Sequence, residues 1–158
     1  MKVRDYVISV IDIENKEMAR EVLNVQIPAY EVEAELIQFD GIPQLFDTVE
    51  LLASCGESFL GFFSEGVLQG VLSYCKNEDE WEICRLVVHP ACFKKGIATA
   101  LLEFFLQEVV GKGELVKVNT GAANIPAITI YKKFGFSEID HLEVAPGVQI
   151  IEMQQIKA

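Results

Sequence analysis

A glycine-containing turn with two lysines separates an apolar run from a long apolar segment in the second half of the chain. The turn is Phe93–Thr99, FKKGIAT, in which Lys94 and Lys95 directly precede Gly96. Where a strand leads into a helix, unpaired N–H groups lie at the positive end of the helix dipole, and glycine lets a bulky ligand approach them closely. Phosphate or pyrophosphate suits such a site, although this is neither a P-loop nor a GxGxxG pattern. The residues predict an anion-binding turn, or else a structural turn with surface lysines.

The hydrophobic pattern around this turn predicts alternating helices and strands. Helical spacing of apolar residues predicts helices at Glu14–Val25, at Ile42–Ala53, at Ile97–Val110 and between a cap at Asn124 and Gly135. Apolar runs predict strands at Tyr6–Val10, Ser58–Phe63, Val67–Cys75, Trp81–Val88, Leu115–Val118, Phe136–Ile139 and Val148–Met153. The pattern leaves the secondary structure of Pro28 and of Tyr30–Phe39 ambiguous. This order predicts an α/β fold with a mixed sheet, in one domain over residues 1–158.

The composition narrows the class of protein. About half of the 158 residues are hydrophobic, 51%, which allows a substantial core. No apolar run approaches the roughly 20 residues of a membrane span, and the N-terminal segment lacks the small-residue cleavage site of a signal peptide. The four cysteines have no CxxC spacing. We therefore expect buried or partly buried free thiols, no metal, no membrane association and a cytoplasmic location.

Charge is distributed unevenly along the chain. The net charge is −11, and Met1–Glu82 holds 17 acids and 5 bases, whereas Arg85–Lys133 holds 7 bases and 3 acids. An acidic protein of this kind is not expected to bind nucleic acid. The pattern is compatible with an anionic ligand in the basic part and a cationic one near the acids, which cluster in Tyr30–Asp40 and Asn77–Glu82. Ordinary solvated surfaces would explain the same charges.

The segment around the turn resembles a motif of a known family. Arg85–Phe104, RLVVHPACFKKGIATALLEF, is similar to motif A of the GNAT (Gcn5-related N-acetyltransferase) superfamily, in which a V-x-P-type strand end leads to a [QR]-x-x-G-x-[GA] loop and a helix. Gly96 and Ala98 match this loop, while Phe93 replaces the usual Gln or Arg. A fold with a mixed, mostly antiparallel sheet, splayed central parallel strands and flanking helices is implied by this resemblance.

A second segment resembles motif B of the same superfamily, N-x-x-A-x-x-x-Y-x-x-x-G-F. The matching residues in NIPAITIYKKFGF are Asn124, Ala127, Tyr131, Gly135 and Phe136. The two motifs occur in the order typical of the family, and the resemblance covers roughly Phe59 to Ile139. The N-terminal third, which usually shapes the acceptor site in this family, carries no recognised motif.

The resemblance implies acetyl-CoA as co-substrate. The loop amides would bind its pyrophosphate, and its pantetheine arm would pair with the free edge of Leu86–Val88 as an added strand does. A bulge near Val87 would open that edge, and an amide there could polarise the thioester carbonyl. The implied cofactor-binding residues are Leu86, Val87, Val88, Phe93, Lys94, Lys95, Gly96, Ile97, Ala98, Thr99, Asn124 and Tyr131.

Two catalytic residues are implied by the same resemblance. Tyr131 would protonate the leaving thiolate, unless it only packs against Phe136. Glu82 lies 14 positions before Gly96, the offset of a base glutamate in the histone-acetylating branch, unless it is merely an exposed residue of an acidic turn. A carboxylate there could deprotonate an incoming ammonium.

The function expected from these observations is transfer of an acetyl group from acetyl-CoA to a primary amine. The amine would attack directly in a ternary complex, with no acyl-enzyme, and the protein would be a monomer or homodimer. A small cationic amine, a lysine or an N-terminal amine are the acceptor classes. The alternatives are a non-catalytic acyl-CoA-binding module and an acidic interaction protein.

Overall fold

The structure, a computed structural model, describes residues 5–158, in which seven strands form one sheet. The first four residues of the N-terminal segment lie outside this range. The strands are β1 (Val7–Ile11), β2 (Ser58–Ser64), β3 (Val67–Asn77), β4 (Glu80–Val88), β5 (Leu115–Gly121), β6 (Ser137–Ala145) and β7 (Val148–Ile156). Their order is β1-β2-β3-β4-β5-β7-β6. Only β4 and β5 pair in parallel within this described sheet, which confirms the predicted mixed, mostly antiparallel architecture.

Helices cover both faces of the sheet. The helices are α1 (Lys16–Ile37), α2 (Val49–Ala53), α3 (Ile97–Phe104) and α4 (Ile125–Lys133). The core beneath α1 and α2 includes Val22 and Phe59, and the core beneath α3 and α4 includes Leu72 and Leu101. None of the helices within residues 5–158 is long and apolar enough to cross a membrane.

The first helix is much longer than the sequence pattern predicts. Its N-cap is Asn15, whose side chain accepts a hydrogen bond from the Met18 N–H at 3.1 Å. The prediction that it ends at Val25 is wrong, because α1 continues through Pro28 and most of the ambiguous stretch for 22 residues. Proline in a helix interior removes one hydrogen bond and costs about 3 kcal/mol. Burial of the flanking helical residues against the sheet outweighs this local cost.

The predicted helix Ile42–Ala53 is interrupted. A 3₁₀ turn spans Pro43–Phe46, and α2 starts only after Thr48, whose Oγ1 accepts a hydrogen bond from the Leu51 N–H at 3.2 Å. Asp47 lies between the two in an extended conformation and directs its carboxylate to buried partners described below. The single helical prediction was wrong because a tertiary contact fixes this break.

The predicted helix Ile97–Val110 also changes character before its end. After α3, Phe105–Val109 continues as a π-helical turn. Its Phe105 ring is buried and lies 4.9 Å from the Tyr74 ring and 5.9 Å from the Trp81 ring, centroid to centroid. The wider turn accompanies this aromatic packing.

The parallel strands β4 and β5 diverge halfway along β4. Their pairing runs from Glu80 opposite Leu115 to Ile83 opposite Val118 and then stops. No described residue of β5 pairs with Leu86–Val88, so that edge of β4 is open as predicted. The bulge predicted near Val87 lies instead at Cys84, where the β3–β4 register shifts. A bulge bends its strand and increases local twist, so it accounts for the divergence.

Replacing Pro28 by Ala tests whether Pro28 destabilises α1 locally and is tolerated because the helix packs on the sheet. Alanine restores a backbone donor for the Asn24 carbonyl and removes the ring, so we expect the free energy of unfolding to rise by about 1–3 kcal/mol. Urea denaturation measures this change. Pro126→Ala is the matched control, since Pro126 lies in the first turn of α4 and its replacement should shift stability by less than about 1 kcal/mol. A less stable Pro28→Ala would contradict the explanation.

Candidate active site

A cavity of about 690 Å³ opens where β4 and β5 diverge. Its walls are the open edge of β4, the glycine-containing turn, the start of α3, one face of α4 and part of α1. Its lining includes the predicted residues Leu86, Val87, Val88, Phe93, Lys94, Gly96, Ile97, Ala98, Thr99, Asn124 and Tyr131. Lys95 is the predicted cofactor residue that does not line it. Its size is that of a pocket for a cofactor or small molecule.

The turn at the mouth of this cavity has the geometry of an anion site. Lys94 and Gly96 both have left-handed backbone conformations, with φ of 64° and 78°. The first amide to bond within α3 is that of Ala100, which donates to the Gly96 carbonyl at 3.0 Å. The amides of Ile97–Thr99 precede it and belong to the orphan donors of a helix start. They lie in the cavity lining, where the helix dipole favours negative charge.

Close packing fixes the position of this turn on the sheet. A Cβ atom at Gly70 of β3 would lie 2.6 Å from Cγ2 of Ile97 and 3.1 Å from Cδ1 of Leu101. Real Cβ atoms essentially never come as close as 2.6 Å to another heavy atom, so glycine at this position lets the start of α3 rest on β3 without displacing Ile97. The direction of the α3 N-terminus is therefore set by the sheet.

A second cavity of about 350 Å³ lies beside the first, on the other side of the divergence, and shares lining residues with it. It is lined by residues of α1, the 3₁₀ turn, β4, β5, α4 and β7. Five residues line both cavities and so mark their junction: Glu33, Leu86, Asn124, Ala127 and Tyr131. A ligand in the larger cavity and a ligand in the smaller one can meet only there.

Tyr131 lies at this junction and is 4% exposed. Its ring also packs on Phe136 with a centroid distance of 5.4 Å, so the packing role and the site role predicted from the sequence coexist. Burial, and then the nearby Glu33 carboxylate, raise the pKa of the Tyr131 hydroxyl. The hydroxyl is therefore protonated at neutral pH and is able to donate its proton.

Glu82 lies in a different position from Tyr131. It is exposed, lines only the smaller cavity, and stands opposite Lys117 where β4 and β5 still pair. Within the two predicted acidic clusters, the acids that line a cavity are Glu33 and Glu82. Glu31 and Glu35 are exposed on the outer side of α1.

Glu33 was not singled out as a site residue from the sequence. It is half-buried, and its Oε1 accepts a hydrogen bond from Asn124 Nδ2 at 3.0 Å. Burial raises the pKa of Glu33, and the hydrogen bond from Asn124 offsets part of that rise. The spacing Gln26, Tyr30, Glu33, Ile37 would have revealed it, because these residues share one face of a helix that continues past Pro28.

Asn124 connects the predicted motif B to α1. Its Oδ1 accepts a hydrogen bond from the Ala127 N–H at 3.3 Å, which confirms the predicted cap of α4. Its Nδ2 donates to Glu33. One side chain thus caps α4 and holds the carboxylate of α1 at the junction.

A buried polar network fixes α1 above β4. Arg85, 5% exposed, donates from Nε and Nη2 to the two carboxylate oxygens of Glu57 at 2.9 and 3.2 Å. Its Nη1 donates to Asp47 Oδ2 at 2.5 Å and to Gln26 Oε1 at 2.9 Å. Burial alone would lower the pKa of Arg85, but the hydrogen bonds that it donates to Glu57 and Asp47 outweigh this effect and raise the pKa.

Gln26 completes the network. It is fully buried on α1, and its Nε2 donates to Asp47 Oδ2 at 2.9 Å and to the Gln44 carbonyl at 3.0 Å. The 3₁₀ turn, α1 and β4 are therefore joined through one guanidinium group. Gln44 and Arg85 both line the smaller cavity, so the network also forms part of its wall.

Comparisons with known proteins agree with this geometry. A model of the acetyltransferase (GNAT) family matches residues 19–136. UPF0157 protein YqkA of Bacillus subtilis (strain 168) is 44% identical over 131 residues, which are 83% of this chain and 38% of that protein. The chain therefore spans well under half the length of that relative. It belongs to the GNAT acetyltransferase family, as the two motifs predict.

Solved structures share the fold at low sequence identity. The ribosomal-protein-S18-alanine N-acetyltransferase from Escherichia coli superposes with a TM-score of 0.70 at 19% identity, covering 98% of this chain and 95% of that one. The structure of yncA from Salmonella typhimurium, determined with its cofactor acetyl-CoA, superposes with a TM-score of 0.73 at 15% identity. The superposition covers 98% of this chain and 95% of that one. At these identities the likeness establishes the fold.

Replacing Arg85 by Gln tests whether the buried network supports the fold. Gln cannot pair with Asp47 and Glu57 together, which leaves two partly buried carboxylates without a cation. We therefore expect a loss of about 3 kcal/mol in the free energy of unfolding. Lys117→Gln is the control, since Lys117 reaches Glu80 and Glu152 only at 3.7 Å near the surface and should change stability by less than about 1 kcal/mol. Equal urea denaturation midpoints for the two variants would contradict this role.

Proposed function

We propose that this chain is an acetyl-CoA-dependent N-acetyltransferase, formed as one domain by residues 1–158, that acetylates a primary amine. The observation that carries the proposal is the meeting of two cavities at the divergence of β4 and β5. One cavity has the turn and the open strand edge suited to the cofactor. The other is lined by carboxylates suited to an amine.

The residues of the larger cavity fit the cofactor. The amides of Ile97–Thr99 and the side chain of Lys94 provide positive charge for a pyrophosphate. The open backbone edge of Leu86–Val88 provides donors and acceptors for an extended arm that carries amide groups. Loop binding through backbone amides also explains why Phe93 is tolerated in place of the usual Gln or Arg.

When bound, acetyl-CoA supplies the acetyl thioester that the amine attacks. An amide of Leu86–Val88 polarises the carbonyl oxygen of that group. Tyr131 donates the proton that the departing sulfur takes up, which is consistent with its protonated hydroxyl at the junction. Glu82, predicted from the resemblance as the base, faces the smaller cavity from an exposed position and attracts the cationic acceptor.

The second cavity favours an enzyme over a binding module. A pure acyl-CoA-binding protein needs only the larger cavity, whereas here Glu33 and Tyr131 face a space that continues beyond it. An interaction protein would need neither cavity. We therefore rank acetyl transfer above both alternatives.

The acceptor is expected to be a cation. Glu33 and Glu82 both line the smaller cavity. Among residues 5–158, Arg85 is the only basic residue in that lining, and it is paired with Asp47 and Glu57. Carboxylates in a cleft raise the local concentration of a cationic ligand. An amine with a net positive charge fits this cavity better than an anionic amino acid.

Binding of acetyl-CoA is tested with Gly96→Glu. The new side chain places bulk and negative charge beside the phosphates, so we expect calorimetric affinity to fall at least about 100-fold. Gly66→Glu is the matched control, because Gly66 has a similar φ of 76° and a Cβ there would have open space around it. Gly66 lies in the turn between β2 and β3 and does not line the larger cavity. For the parent protein, acetyl-CoA at a hundred times its Kd should add roughly 2.7 kcal/mol of stability. Unchanged affinity in Gly96→Glu would show that the site lies elsewhere.

Acetyl transfer is tested with four acceptors: spermidine, a lysine-containing peptide, a peptide with N-terminal alanine, and glutamate. We expect release of CoA with at least one cationic acceptor and a lower kcat/KM for glutamate. Tyr131→Phe should lower kcat about 10-fold or more with little change in Tm, because it removes only the proton donor. Acetyl-CoA binding without turnover of any acceptor would contradict the enzyme and favour the binding module.

A further inference from the structure

We propose that Glu33 is the catalytic base of this chain: its carboxylate binds the ammonium group of the acceptor and takes the proton that must leave before the nitrogen attacks. This inference rests on the proposed acetyltransferase function and deepens it. It assigns proton transfer to a residue of α1, in the N-terminal third that carries no recognised motif.

The position of Glu33 is the first observation. Glu33 lines both cavities, together with Leu86 and Tyr131. An amine that enters through the smaller cavity must reach this junction to contact an acetyl group delivered along the edge of β4. A base must lie within hydrogen-bond reach of the nitrogen at that point. Glu82 lines only the smaller cavity, four residues before Leu86 on β4, so it is less suitably placed.

The partners of Glu33 are the second observation. Asn124 donates to its Oε1 at 3.0 Å, and none of the ion pairs identified within residues 5–158 includes Glu33. A carboxylate that has lost part of its hydration is stabilised by a cationic partner, because desolvation of a charge is costly. An ammonium group bound there would supply a positive charge beside the neutral donor Asn124.

The groups around Glu33 make it suitable as a base. Tyr30 and Tyr131 are neutral, since burial raises the pKa of each hydroxyl. Across the smaller cavity, Arg85 is held by its own carboxylates and Glu82 adds negative charge. In the larger cavity, Lys94 is the charged residue of the turn. Burial therefore brings the pKa of Glu33 closer to neutral, where a base is most effective.

The proton balance assigns one transfer to Glu33. The acceptor ammonium gives one proton to the Glu33 carboxylate, and its freed lone pair forms the C–N bond as the C–S bond breaks. Tyr131 protonates the departing thiolate, and the second proton, which the nitrogen loses as the amide forms, returns to Tyr131 directly or through water. Glu33 then releases its proton to solvent, so the products are an acetamide, free CoA and one proton.

The pH dependence of kcat/KM distinguishes this role from a structural one. The parent enzyme should show a plateau that begins above the pKa of Glu33 and continues towards the pKa of the amine. In Glu33→Gln the reaction depends on amine that is already neutral, so kcat/KM should fall about 100-fold at pH 7 and rise about 10-fold per pH unit below the pKa of the amine. The assay uses the fastest of the four acceptors named above.

Asn124→Asp provides a second, opposite test. Asp still caps α4, but it replaces the donor to Glu33 with a negative charge. Both changes raise the pKa of Glu33, so the start of the plateau should move to higher pH. A residue that only links α1 to α4 would lower the whole profile without moving it.

Controls separate the possible failures. Glu35→Gln removes the same charge from the exposed side of α1 and should leave the profile unchanged. Glu82→Gln removes the other cavity carboxylate, so it should lower kcat/KM but leave the pH at which the plateau begins unchanged. A plateau retained in Glu33→Gln, or lost only in Glu82→Gln, would refute the base role while leaving the acetyltransferase intact. No turnover of any acceptor by the parent enzyme, despite acetyl-CoA binding, would instead refute the proposed function and this inference with it.

Discussion

The acceptor side of the molecule depends on the ion pairs and hydrogen bonds that the buried Arg85 guanidinium makes. It joins β4 to Gln26 of α1 and to Asp47, and so fixes both the rotation of α1 and the path of the chain after it. Glu33 lies seven residues after Gln26, two helical turns along the same face. Further along, Ile37 meets Gly121, where a Cβ would lie 2.8 Å from its Cγ2. The direction of the Glu33 carboxylate is therefore set by contacts on either side of it.

The bulge at Cys84 produces both this anchor and the open strand edge. In a regular strand, residues two apart lie on the same face. Ile83 packs in the core beneath α3, yet Arg85 contacts α1 on the opposite face. One extra residue in the strand reverses the alternation and directs Arg85 towards α1. The same bend ends the pairing of β4 with β5. The cofactor edge and the acceptor wall thus arise from one local irregularity.

The cofactor side could be predicted from the sequence because its signals are local. A turn with Gly96 at a helix start and a cap at Asn124 depend on neighbouring residues, and the structure has both. The acceptor side depends on distant contacts. Pro28 argued locally against a long helix, and only packing on the sheet reverses that, so Glu33 was grouped with the surface acids. Arg85 was counted as one charge of a basic segment, since nothing adjacent to it in sequence indicates burial between Asp47 and Glu57.

The raised pKa of Glu33 carries a cost that a purely structural residue would not need. Because its pKa is higher in the folded than in the unfolded chain, its contribution to stability is fully present below the unfolded value, about 4.3. It is lost as the pH rises through the folded value. At neutral pH the charged carboxylate therefore weakens the fold. A neutral amide could accept the same hydrogen bond from Asn124 without that penalty. A carboxylate kept in a destabilising position, at the point where both cavities meet, is better explained by chemistry than by packing.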